Sequence, residues 1–144
     1  MIVIRSAHLR DLDAVTLHEI VRLRQDVFVV EQECAYADLD GRDVEAGALQ
    51  VWAEDADGSV VATLRVLREA GGEVRIGRVA TVRSMRGRGL ARALVTEALD
   101  ETEGTVVLDA QNHLAQWYAA LGFERVGEEF VEDGIPHVPM RLER

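Results

Sequence analysis

Two hydrophobic periods alternate along the chain, and the points where one gives way to the other divide it into elements. Residues 2–5 suit a short first strand. Over residues 11–30, Leu12, Val15, Leu17, Ile20, Val21, Leu23, Val27 and Phe28 recur at broadly helical spacing, with Asp11 placed to cap the helix. The polar run at residues 31–47 has no period and reads as a loop of the kind that shapes a substrate site. Two hydrophobic runs, residues 49–54 and 60–68, flank Asp57-Gly58, a hairpin-turn signal. Gly71-Gly72 marks the next turn, and a strand over residues 74–82 closes an antiparallel meander. Leu90, Ala91, Leu94, Val95, Ala98 and Leu99 then recur at helical spacing, so a helix starts near Gly87. A strand at 105–108, a helix at 111–121 and strands at 123–130 and 137–142 complete the chain. The expectation is an α+β fold, a mixed and mostly antiparallel sheet flanked by helices.

The 144 residues suit a single domain, residues 1–144, large enough to bury a core without staples. One cysteine, Cys34, excludes an internal disulfide. The N-terminal residues show no basic lead before an apolar run, and no apolar stretch reaches the roughly 20 residues of a membrane span, so a cytoplasmic protein with no membrane partner is expected. The net charge of -10 disfavours a nucleic-acid partner and mildly favours cationic ones.

Chemistry concentrates at Arg86-Gly87-Arg88-Gly89-Leu90-Ala91-Arg92, where a strand turns into a helix. A helix start offers free amides and a positive dipole end, and two glycines let an anion approach the backbone. Three arginines at that end, with Glu97, Asp100, Glu101 and Glu103 at the other, oppose the dipole. Arg88 and Arg92, four apart, add a repulsion that a bound anion would relieve. A Walker loop requires Lys-Ser or Lys-Thr after its second glycine, where Leu90-Ala91 stands. A dinucleotide fingerprint requires a small residue where Arg92 stands.

The order Arg86, Gly89, Ala91 meets [Gln/Arg]-x-x-Gly-x-[Gly/Ala] and resembles the acyl-CoA loop of the GNAT acyltransferase superfamily. Residues 111–123, with Tyr118 before Gly122-Phe123, resemble its second conserved segment. Residues 23–32, 38–43 and 132–137 resemble the ElaA-like branch, so the likeness spans nearly the whole chain. Arg83, where proline is common, and Ala91, where glycine is commoner, depart from the pattern without removing an amide. The resemblance implies a GNAT-like acyl-CoA N-acyltransferase fold and an acetyl-CoA-dependent N-acetyltransferase. Transfer to a primary amine would be by direct attack, with no metal. It places the pantetheine arm beside Val79, Ala80 and Thr81, the pyrophosphate at residues 86–92, and Tyr118 at the thioester sulphur as general acid. Homodimers are common among such proteins.

Asn112 would bond the pantetheine arm or cap its helix. For the base, Glu31, His113 and His137 are all chemically able; Glu31 is favoured because it sits where a helix opens into the substrate loop. The acceptor is a small-molecule or peptide amine of unspecified identity. No lysine exists here for the protein's own donor to modify. The alternatives are a non-catalytic module that senses acyl-CoA or binds a partner, and a plain nucleotide binder. Asp38-Leu39-Asp40-Gly41-Arg42-Asp43 lacks the glycine and glutamate positions of a calcium loop and reads as a turn. Cys34 has no local base and reads as a loop or packing residue.

Overall fold

In the computed structural model, which describes residues 1–144, eight strands and three α-helices follow one another as β1 (Val3–Ala7), α1 (Ala14–Arg24), β2 (Leu49–Glu54), β3 (Val60–Arg68), β4 (Val74–Thr81), α2 (Leu90–Asp100), β5 (Val106–Gln111), α3 (Ala115–Ala119), β6 (Glu124–Arg125), β7 (Phe130–Glu132) and β8 (Ile135–Leu142). The strands form one sheet in the order β1-β2-β3-β4-β5-β8-β6, with β7 also on β8. β1 to β4 are the expected antiparallel meander. β5 then joins β4 in parallel, through Val74 beside Val106 and Arg75 beside Val107 only. Beyond Arg75 the two strands part, so β4 from Ile76 onward has no strand partner on that side.

Each face of the sheet is covered by helix. α2 buries Leu90, Leu94, Val95 and Ala98 in the main core, with Val51, Leu64, Val66, Ile76 and Leu108 from the strands. On the other face, Leu23 of α1 and Val27 just beyond it pack on Ala80. No helix is long and apolar enough to cross a membrane.

Several boundaries differ from the sequence expectation, each for a local reason. Asp13, not Asp11, caps α1, its carboxylate accepting from the Thr16 amide at 2.8 Å, while Asp11 ends a preceding 3₁₀ turn. After Arg24 the helix widens into a π-helical turn, Gln25–Glu31. α2 begins at Leu90 rather than Gly87, because Gly87 and Gly89 both hold φ +77°, which interrupts the helical backbone. The helix expected at 111–121 shrinks to a 3₁₀ turn, Asn112–Leu114, and α3, since β8 keeps the chain extended as far as Gln111 opposite His137. The strand expected at 123–130 breaks into β6 and the separate β7. Both lie on the outer edge of β8, on either side of Pro139, whose carbonyl accepts from Val126 and which has no N–H to give that edge.

Candidate functional site

A cleft of about 950 Å³ opens where β4 and β5 part. Its walls come from the π-helical turn, the loop after it, β4, the start of α2, β5, α3 and the β7–β8 turn.

One end of the cleft is made of backbone. The two left-handed glycines bend residues 86–89 into a concave turn, and the amides of residues 87–92 have no hydrogen-bond partner in the protein; the first satisfied amide of α2 is that of Ala93, which donates to Gly89. Six successive free N–H groups at the positive end of a helix form an anion cradle. Next to it runs the unpaired side of β4. Val79, Ala80 and Thr81 line the cleft there, and β3 pairs with this stretch from the other side only, Thr63 opposite Ala80 and Ala62 opposite Thr81.

The arginines of this turn are deployed differently from one another. Arg92 lines the cleft. Arg88 precedes α2 and lines a separate hollow of about 330 Å³ with Met1, Ile2, Asp55 and Asp57, so the expected helical repulsion between Arg88 and Arg92 does not arise. Arg86 holds the Glu31 carboxylate with both terminal nitrogens, at 2.6 and 2.7 Å, and donates through Nε to the Thr81 carbonyl at 3.0 Å. It therefore fastens the cradle to the end of the π-helical turn. The same pairing, with Arg83 at 3.7 Å, keeps the Glu31 carboxyl below its ordinary range and makes it a weak proton acceptor.

Tyr118 lines the cleft. Its ring is buried, 6% exposed, and stands edge-on to Trp117 and Phe123 at centroid distances of 4.8 and 5.9 Å. Burial pushes the phenol up to about 12. Gly122, at φ +101°, ends α3, and the amides of Leu121 and Phe123 both return to the Tyr118 carbonyl, which fixes the ring's backbone. Asn112 is exposed and caps neither the 3₁₀ turn nor α3. His113 is exposed at the cleft wall. His137, half-buried, stacks on Phe130 and has Nδ1 2.7 Å from the Ile135 carbonyl. That carbonyl can only accept, so Nδ1 carries the proton and the Nε2 lone pair of the neutral ring is free.

The opposite end of the cleft is made of side chains, and most of its construction escaped the sequence reading. Arg24, 2% exposed, donates to Asp38 and Asp43, and Asp43 also accepts from Arg65 and Gln50. Arg65 grips Asp40 at 2.7 and 2.9 Å, and Arg78 lies between Asp38 and Asp40. Burial pushes Asp43 upward, but hydrogen bonds and charge from Arg24, with the charge of Arg65, hold it below the ordinary carboxylate range. Asp40 is held low chiefly by its Arg65 hydrogen bonds. Of the turn expected at residues 38–43, 38–41 run as an irregular loop and only Arg42–Val44 forms a 3₁₀ turn, opened by the Arg42 amide on Asp40, and the acids are the anchors of this network. A strap links two walls of the cleft: Gln32 and Gln111 exchange amide hydrogen bonds at 3.3 and 3.4 Å, and Cys34 Sγ donates to the Asp133 carbonyl at 3.3 Å.

Comparison with known proteins gives the family. Residues 18–144 match the model of the acetyltransferase (GNAT) domain family. A UPF0039 protein of Mycobacterium tuberculosis is 49% identical over 141 residues, covering 95% of this chain and 90% of its own length. The crystal structure of Escherichia coli ElaA superposes with a TM-score of 0.92 at 34% identity, covering 99% of this chain and all of that one. An acyl-CoA N-acyltransferase from Pseudomonas aeruginosa gives 0.92 at 37% identity, with 99% of each chain covered. With a matching family model over most of its length and these relatives, the chain belongs to the GNAT acetyltransferase family, among the ElaA and UPF0039 proteins.

Proposed function

We propose that the protein is an N-acyltransferase that uses acetyl-CoA and transfers its acyl group to a primary amine by direct attack, without a covalent enzyme intermediate. The observation that carries this reading is the row of six free amides at residues 87–92, set at one end of a cleft that also contains the unpaired side of β4 and the Tyr118 ring. When bound, acetyl-CoA supplies the acyl group as a thioester. The cradle amides and Arg92 would hold the pyrophosphate, and Val79, Ala80 and Thr81 would hold the pantetheine arm and the thioester carbonyl through backbone groups. Tyr118 keeps its proton at neutral pH and would give it to the departing sulphur as the thiolate forms.

For the amine proton, the geometry favours His137, whose Nε2 lone pair is free, over Glu31, whose carboxylate is committed to Arg86. In this reading Glu31 is the counter-ion that positions Arg86. The acceptor would enter beneath the Gln32–Gln111 strap, past Asp109, Glu132 and Asp133 on the cleft wall, acids suited to a cationic amine.

Calorimetric titration with acetyl-CoA, CoA, ADP and NAD tests the donor. Binding selective for the CoA species is expected, followed by thiol release in the presence of an accepting amine. ADP or NAD binding as tightly as CoA would favour a nucleotide-binding module, and selective CoA binding with no thiol release across an amine panel would favour an acyl-CoA sensor.

A further inference from the structure

Arg78 stands where the backbone end of the cleft meets the side-chain end, and its conformation is unusual for its type. In the middle of β4 it takes φ +54°, the left-handed region that an L-residue with a long side chain rarely enters. The β3–β4 register slips at the same place: Thr63 faces Ala80 while Arg65 faces Gly77, so Leu64 alone lies opposite both Arg78 and Val79. This is a β-bulge, and in a bulge with a left-handed residue that position normally goes to glycine. Here the arginine is held from outside the strand. Its Nε lies 2.9 Å from Asp38 Oδ1, and Nη2 donates to the Asp38 carbonyl at 3.2 Å and to Asp40 Oδ2 at 3.3 Å. The guanidinium carbon sits 5.3 Å from the centroid of the Tyr36 ring, and the Tyr36 hydroxyl in turn donates to Asp38 at 2.6 Å. The anchors are themselves fixed, Asp38 by Arg24 at 2.9 Å and Asp40 by Arg65.

A bulge inserts one residue and so changes which way every following N–H points. The residues that follow are Val79, Ala80 and Thr81. We propose that Arg78 is a positioning residue: its clamp to Asp38 and Asp40 holds the β4 bulge in its left-handed form and thereby aims a cleft-facing backbone amide of residues 79–81 at the thioester carbonyl. The inference rests on the acyl-CoA reading of the cleft, and it gives the loop at residues 36–43 a part in the chemistry although it touches no reacting atom.

The test compares Arg78→Ala and Arg78→Gly with the wild type by calorimetry against acetyl-CoA and against CoA, which lacks the carbonyl. Wild type is expected to prefer acetyl-CoA by about two- to tenfold, the worth of one neutral hydrogen bond. Arg78→Ala should bring that ratio close to one while CoA affinity stays within about twofold, which also reports an intact fold. Arg78→Gly, free to keep the left-handed backbone, should recover part of the ratio. Amide hydrogen exchange at Ala80, whose N–H faces β3 opposite Thr63, should quicken in Arg78→Ala. An unchanged ratio in Arg78→Ala, a parallel fall in both affinities, or equal ratios in the two variants overturns the positioning role. A wild type that binds both CoA species equally overturns it as well, with the donor reading left standing. A wild type that binds neither overturns both readings.

Discussion

The two ends of the cleft are built from different materials. The cradle end is made of main-chain amides: residues 87–92 present six free N–H groups, two of them from Gly87 and Gly89, which also set the conformation of the turn. At the far end the side chains of Asp40, Arg65 and Arg78 line the cleft and are tied to Arg24, Asp38 and Asp43, pairing across as many as 40 residues of sequence. The cradle is local, formed within a single turn, and its disruption should cost binding with little effect on the fold. The ion-pair network ties α1, the 36–43 loop, β3 and β4 together, and its disruption should cost the fold itself.

The largest expected effect follows from that difference. Arg24→Ala leaves Asp38 and Asp43, 8% and 5% exposed, without their principal cation, and breaking a buried pair from one side costs about 3–5 kcal/mol. Urea unfolding should show that loss as a lower midpoint. The wild-type network has a pH signature as well. Asp40 and Asp43 titrate below their ordinary value of 3.8 when folded, so their contribution is complete well above that value and is lost as the pH falls through and below it. Part of the wild type's acid sensitivity should therefore disappear in Arg24→Ala. A midpoint that does not move would mean that the network is ornamental.

Next in size is Tyr118→Phe, which removes one hydroxyl and leaves both aromatic contacts. If the phenol is the proton donor, thiol release should fall by about 100-fold or more, with CoA affinity unchanged. The phenol's raised value also sets a stability term, present below about 10 and lost as the pH rises towards 12. Tyr118→Phe should consequently flatten the alkaline end of the stability profile. Turnover equal to wild type would remove Tyr118 from the acid role.

The same contrast explains what could be read in the sequence. The meander, with β2 and β3 at their expected bounds, and the cradle turn were legible because alternation and glycine spacing are local signals. The break at Pro139 was legible in principle, since a proline inside a strand must leave one edge unpaired. The ion-pair network was not. Asp38, Asp40 and Asp43 read as a turn, while their partners lie on four other elements, α1, β2, β3 and β4. The available clue was Arg65, in the middle of the hydrophobic run of β3: a charge on a covered strand face requires a buried counter-charge. Arg24, between Leu23 and Val27, sends the same signal. The role of Glu31 could not be read either, because its bond to Arg86 spans 55 residues and depends on the π-helical turn that swings the carboxylate back towards the cradle.

Gly89→Ala addresses the cradle end. Space exists for the new methyl group, as no atom lies within 4 Å of it, but φ +77° does not suit an L-residue. The backbone then either bears about 1–2 kcal/mol of strain or relaxes and scatters the free amides. Calorimetry should show weaker CoA binding, with the urea midpoint lowered by far less than in Arg24→Ala. If instead the fold suffers as much as the binding, the cradle is as integral to the structure as the ion-pair network, and the contrast between the two ends fails.

The smallest effect, and the most discriminating for the chemistry, belongs to Glu31→Gln. The carboxylate holds Arg86 by two short hydrogen bonds at a partly exposed site, an arrangement worth at most about 1 kcal/mol to stability. As a counter-ion, Glu31 competes with an incoming pyrophosphate for Arg86, so neutralising it should raise CoA affinity by a few fold at low salt, an advantage that shrinks as salt screens the charges. Turnover at saturating donor and acceptor should stay within a few fold of wild type. If Glu31 is instead the base, CoA affinity still rises but turnover falls by about 100-fold, and its dependence on pH changes shape because a carboxylate has been removed from the reaction. His137→Gln supplies the mirror image, with CoA affinity unchanged and turnover lost. One pair of variants thus separates the residue that arranges the cradle from the residue that takes the proton.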